Sequence, residues 1–173
     1  IGLGIPAEPL FRSSYYPHFV VFICTHGRPD KQYTYNALKK CGYSGRIILV
    51  LDNTDTTIQQ YIDVYGKDVM YVFDKNYYIN SNKYDNGDNT PHYKCILYAK
   101  RAVEDIAKNM GLKYFAIADD DITDFTIRYP QDNKLMTYPI RAFDEVIKAY
   151  TEILQDSVAC VGFGYAKSYF KDS

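Results

Sequence analysis

The sequence predicts an α/β fold with a mainly parallel sheet and helices on both faces, and three observations predict it. Residues 19–24 (FVVFIC), 46–51 (RIILVL) and 114–118 (YFAIA) are near-continuous apolar runs of strand length, the pattern of strands covered on both sides. Between such runs lie segments whose apolar residues recur at helical spacing. The two patterns alternate along the chain, as crossover-linked parallel strands require.

The first core strand is residues 19–24, followed by Thr25, His26, Gly27, Arg28 and Pro29. A helix is expected over 30–40, with Tyr33, Ala37 and Leu38 on one side and Pro29 suited to its first turn. Gly42 and Gly45 end it, and a second buried strand, 46–51, closes on Asp52. Residues 56–65 carry Ile58, Tyr61, Ile62 and Tyr65 in a helical stripe that Gly66 stops, and 69–73 read as a third, short strand. Residues 75–91 are polar and rich in Asn and Tyr, a loop longer than a compact domain normally keeps without a use. Residues 92–110 form an amphipathic helix with Ile96, Ala99, Val103, Ile106 and Met110 on one side. The fourth strand, 114–118, then delivers Asp119, Asp120 and Asp121 at its C-terminal end. A hairpin follows, with strands at 125–129 and 135–138, then a helix over 141–154 and a last strand at 158–163 (VACVGF). Neither a repeat nor a second domain interrupts this order, so residues 1–173 read as one domain. The start at Ile1 and the stop at Ser173, just after a core strand, leave room for a piece trimmed from a longer protein.

With 173 residues, 47% hydrophobic and 24% charged, the chain has the composition of an ordinary globular domain with a real core. Twenty basic against twenty-one acidic residues, a net charge of -1, argue against a protein that holds bare nucleic acid by a basic surface. No stretch approaches the roughly 20 apolar residues that cross a bilayer, so no membrane partner is expected. Residues 1–10 lack the form of a signal peptide, and no N-x-S/T sequon is present. A cytoplasmic location is the expectation. Cys24, Cys41, Cys95 and Cys160 show no C-x-x-C pair and read as free thiols.

In an open α/β sheet, ligands bind beyond the carboxyl ends of the strands, where loops and helix N-termini converge. Three polar clusters fall there: Thr25 to Arg28, Asp52 to Thr54, and Asp119 to Asp121. Asp119 and Asp121, two apart, would point to one side if the strand continued. Converging carboxylates repel unless a cation sits between them, and hard oxygen ligands suit Mg²⁺ or Mn²⁺. The plainer account of the triplet is a helix cap or a solvated acidic turn.

The segments FICTHGRPD, VLDN and FAIADDDI together resemble the GT-A glycosyltransferases, whose D-x-D motif holds a metal and the diphosphate of a nucleotide sugar. More narrowly, T-H-G-R-P and A-D-D-D-I-T-D-F resemble a phage and bacterial glycosyltransferase family encoded beside TET/JBP-type oxygenases and associated with modified DNA bases. The resemblance runs over residues 19–164. It implies a three-layer, Rossmann-like GT-A sheet, a nucleoside diphosphate sugar as donor, Mn²⁺ or Mg²⁺ as cofactor, and a DNA base as acceptor. By position it implies that Thr25 and Arg28 frame the nucleotide and that Asp52 meets its base. Asp119 or Asp120 would contact the ribose, with Asp121, alongside Asp119, at the metal.

Each of these residues also has a plainer reading. Arg28 could be a surface arginine held by a carboxylate, and Asp52 a turn or N-cap residue. A lone histidine beside glycine, such as His26, is more often a loop residue than a phosphate ligand. Lys100 and Arg101 could reach a diphosphate, but a solvated helix face explains them more simply. Gly162 and Gly164 would let a ligand approach the backbone or would merely turn the chain. Asp119, Asp121 and Thr123 also spell D-x-D-x-T, the motif of haloacid-dehalogenase-like phosphatases, which normally carry it on their first strand. A nucleotidyltransferase would need an arginine that IGLGIP lacks, and a non-catalytic nucleotide-binding module remains the third alternative. No residue presents itself as a general base, so retention or inversion at the anomeric carbon stays open.

Overall fold

A computed structural model of the chain describes residues 19–81, 96–132 and 134–155. Its core is a four-stranded sheet of β1 (Val20–Cys24), β2 (Arg46–Asp52), β3 (Met70–Phe73) and β4 (Phe115–Asp119), in the order β3-β2-β1-β4. All three pairings are parallel. Every residue of β1 is buried, and so is β2 after Arg46, as their apolar sequences demand. β4 is equally apolar in sequence yet only partly buried throughout, since among the described residues it is paired on one edge alone.

Alternation along β1 and β2 divides the core in two. Val21, Ile23, Ile47, Leu49 and Leu51 pack with Ala37 and Leu38 of α1 (Tyr33–Lys40), Tyr61 of α2 (Ile58–Tyr65), and Phe143 and Ile147 of α5 (Phe143–Gln155). Val20, Phe22, Cys24, Ile48 and Val50 pack with Ala102, Val103, Ile106 and Ala107 of α4 (Ile96–Asn109). Helices therefore cover both faces, and the whole is a mixed α/β fold of Rossmann-like arrangement. Cys24 and Cys41 are buried free thiols, as expected. Among the described residues no helix is long and apolar enough to cross a membrane.

Three elements depart from the sequence expectation. Pro29 does not open α1, which begins at Tyr33. Gln32 has non-helical dihedrals, and its side-chain amide turns back to donate to the Arg28 carbonyl at 3.0 Å, so residues 28–32 form a turn ahead of the helix. The polar segment from residue 75 begins as a helix, α3 (Lys75–Asn80), capped by Asp74, whose carboxylate accepts the Asn76 N–H at 3.0 Å. Tyr78 docks this helix on its neighbour by donating to Asp105 of α4 at 3.0 Å. The third is the end of β4 at Asp119: Asp120 and Asp121 lie in a turn, so the aspartates do not continue along one strand face.

β5 (Thr126–Gln131) and β6 (Lys134–Pro139) pair antiparallel as expected, and Asp132 between them takes the left-handed backbone (φ 51°) that Asp tolerates in turns. The last strand expected at 158–163, the glycines 162 and 164, Cys95, Cys160, residues 82–91 of the polar segment and the first turn of the helix expected from 92 lie outside the described residues.

Candidate functional site at the switch point of the sheet

The chain runs outward from β1 through β2 to β3 and then returns to place β4 on the other side of β1. The strand order thus reverses between β1 and β4, and in such sheets the crevice at the carboxyl ends of those two strands receives the ligand. β1 and β4 finish level, with Cys24 opposite Asp119, so Thr25 and Asp120 leave the sheet side by side.

A buried hydroxyl joins them. Thr25 Oγ1 donates to Asp120 Oδ2 at 2.7 Å, which spends its only proton. Its lone pairs must then take the other two contacts, so Gln32 Nε2 donates to it at 2.7 Å and the Tyr61 hydroxyl donates at 2.8 Å. Tyr61 in turn accepts the Arg28 backbone N–H at 3.0 Å. Burial pushes the Tyr61 phenol up, against the pull of Thr25 and Arg28, and keeps the proton this chain of bonds needs. Among the described residues, Gln32 Oε1 is the buried side-chain atom with no hydrogen-bond partner.

Asp120, only 6% exposed, also holds Arg28, whose Nη1 lies 3.3 Å from Oδ1. The Arg28 side chain as a whole is half-exposed. Thr34, at the start of α1, fixes the turn after β4: its hydroxyl donates to the Asp119 carbonyl at 2.5 Å and accepts the Ile122 N–H at 2.9 Å. Asp121 is exposed, and Asp119 is partly exposed with Lys100 Nζ 3.9 Å away. Arg101 turns instead to Glu104 on the surface of α4, at 2.5 Å. The charge of Asp119 joins burial in pushing the Cys24 thiol up to about 12, burial being the larger cause.

A second polar cluster sits where β2 ends. Asp52, 7% exposed, receives the Thr54 N–H at 2.9 Å and the Thr54 hydroxyl on Oδ1, and His26 Nδ1 at 3.0 Å and Lys75 Nζ at 3.4 Å on Oδ2. Burial alone would raise its pKa, but the two bonds from Thr54 and the nearby Lys75 and His26 outweigh burial and hold the carboxyl below its ordinary value. Asp55 accepts the Gly27 N–H at 2.7 Å on one oxygen, and the Thr57 N–H and hydroxyl at 2.7 and 2.6 Å on the other.

Thr25, Arg28 and Asp120 are therefore brought together in one bonded group, with Asp119 and Asp121 at its rim. Asp52 stands in the neighbouring cluster with His26. Gln32, Tyr61, Asp55 and Lys75 belong to these clusters and were not singled out from the sequence. Tyr61 read as one more apolar position of a helix stripe, and it is that, with a hydroxyl that reaches across the sheet end. Among the described residues no group of three or more His, Cys, Asp or Glu side chains is close enough to hold a metal by itself.

The fold and this arrangement define a Rossmann-like α/β protein with bonded polar clusters at the carboxyl ends of β1, β2 and β4. Residues 19–173 match the model of a protein family described as TET-Associated Glycosyltransferase. The chain belongs to that family and is a glycosyltransferase. Its membership sets aside the phosphatase reading of D-x-D-x-T and the non-catalytic module. No curated protein and no solved structure matches the chain.

Proposed function

We propose that the chain is a three-layer GT-A-type enzyme that binds a nucleoside diphosphate sugar at the crevice between β1 and β4 and transfers the sugar to a modified DNA base. The observation that carries this reading is the Thr25–Asp120 hydrogen bond of 2.7 Å, which ties the two strand ends together where an open α/β sheet takes its ligand. Family membership supplies the reaction type.

The donor set fits a hard divalent cation, Mn²⁺ or Mg²⁺. Such ions are held by one or two carboxylates together with substrate phosphates, so a cluster of three protein ligands is not required. Asp120 is committed to Thr25 and Arg28, which leaves Asp119 and Asp121 as the residues that would hold the metal. The cation, when bound, neutralises charge on the departing diphosphate. Arg28 offers its remaining guanidinium donors to a phosphate while Asp120 keeps it in place. Thr25, fixed by three hydrogen bonds, shapes the floor beneath the nucleotide.

With a net charge of -1 the chain exerts little general attraction on a phosphate backbone. On this reading the acceptor is recognised through its base rather than its charge. A cytoplasmic location accords with such an acceptor.

The test is calorimetric titration of UDP, GDP and their sugar conjugates with and without Mn²⁺, on the wild type and on Asp121→Ala. Asp121 is exposed, so its removal leaves the fold intact, which circular dichroism checks. Metal-dependent binding of one nucleotide to the wild type, lost in the variant, is expected. Absence of nucleotide binding to the wild type overturns the reading.

A further inference from the structure

We propose that His26, rather than Asp52, reads the base of the donor nucleotide, with Asp52 and Lys75 as positioning residues behind it. The inference rests on the donor-site reading above and assigns a part of that site.

An ionised carboxylate has about four acceptor directions. Those of Asp52 are filled by Thr54 N–H, Thr54 Oγ1, His26 Nδ1 and Lys75 Nζ, and the residue is 7% exposed. A base N–H arriving at Asp52 would have to displace one of them. Asp55 is similarly placed, 5% exposed and holding three hydrogen bonds, from Gly27 N–H, Thr57 N–H and the Thr57 hydroxyl. Both aspartates face inward and organise the loop.

His26 is the member of this cluster that meets solvent, its side chain 47% exposed, directly after Thr25 at the end of β1. Because its Nδ1 lies 3.0 Å from a carboxylate oxygen of Asp52, Nδ1 carries the proton and donates it. In the neutral ring Nε2 is then a hydrogen-bond acceptor, and it lies on the side of the imidazole remote from Asp52. An acceptor fixed in this way suits an N–H of a nucleobase, such as the ring imino N–H of uracil or guanine. Lys75, itself only 5% exposed, holds Asp52 from the start of α3, so β1, β2 and α3 together set the orientation of the ring.

The measurement compares Mn²⁺-dependent binding of UDP, GDP, ADP, CDP and inorganic pyrophosphate by the full chain and its His26→Ala variant. Loss of one net hydrogen bond is expected to weaken the preferred nucleotide about tenfold and to narrow its lead over the other bases. Pyrophosphate, which has no base, is expected to bind both proteins alike. Since Asp52 acts through His26, Asp52→Asn is expected to weaken the nucleotide in the wild-type background but not in His26→Ala. Nitrogen-15 spectra of the ring are expected to show Nδ1 protonated in the wild type and a tautomer mixture in Asp52→Asn. Unchanged nucleotide affinity and base preference in His26→Ala overturns the inference while leaving the donor site standing. An equal loss for pyrophosphate also overturns it, because His26 would then be a phosphate contact. A wild type that binds neither nucleotide nor pyrophosphate removes the donor-site reading itself.

Discussion

Thr25→Val tests the bonded group at the switch point with almost no change in side-chain volume. Thr25 Oγ1 donates to Asp120 at 2.7 Å and accepts from Gln32 at 2.7 Å and Tyr61 at 2.8 Å. A hydrogen bond to a charged group contributes about 1.5–3 kcal/mol, and a buried donor left without an acceptor costs about 1–3 kcal/mol. After the substitution Asp120 keeps Arg28, whose half-exposed side chain is screened by water and compensates little. The losses share one network and do not add, so a destabilisation of about 2–4 kcal/mol is expected. For a chain of this size that is a fall in Tm of about 5–15 °C. Urea unfolding followed by circular dichroism measures it. Thr25→Ser, which keeps the oxygen and loses one methyl group, should cost no more than about 1 kcal/mol. A valine variant within about 0.5 kcal/mol of the wild type, or a serine variant equally damaged, would refute the account of the hydroxyl as the junction of β1 and β4.

Two further outcomes follow from shifted groups. Asp52 has its folded-state pKa below its ordinary value of 3.8, so the stability it contributes is present above 3.8 and lost as pH falls through the lower folded value. Melting curves below pH 5 should therefore fall more steeply for the wild type than for Asp52→Asn. Cys24, with its thiol pushed up to about 12 chiefly by burial, should resist iodoacetamide at pH 8.5 in the native protein and react only after unfolding, as peptide mapping will show. Labelling of native Cys24 at the rate of a free thiol would contradict its burial under α4.

The sheet was legible because its strands are extreme. FVVFIC and RIILVL admit few environments other than the centre of a covered sheet, and they became β1 and β2 with nearly every side chain buried. α3 was not legible, since six residues make fewer than two turns and display no apolar stripe; its capping Asp74 and the Tyr78–Asp105 contact hold it from outside. The rule of strand ends singled out Thr25, Arg28 and Asp120, and these three side chains do meet at the ends of β1 and β4. Their mutual bonds were not legible, because Thr25 and Asp120 are 95 positions apart and Tyr61 sits on a helix whose sequence shows only its apolar stripe. The expected alignment of Asp119 with Asp121 assumed that the strand continues, whereas Thr34 grips the Asp119 carbonyl and turns the chain. His26 looked like a loop residue because nothing in its neighbourhood of the sequence announces Asp52 and Asp55.

The placement of β4 beside β1 has a consequence for the order in which this enzyme acquires its competence. Synthesis delivers β1, β2 and β3 first, and these can begin to pair while the rest is still being made. The Thr25 hydroxyl then waits for a partner 95 positions further on. Until β4 arrives, Arg28 lacks its carboxylate and the crevice has one wall. Completion of the long-range strand pairing and closure of the crevice are thus one event, so a nascent chain carrying only the first three strands has the Asp52 cluster but not the Thr25–Asp120 junction.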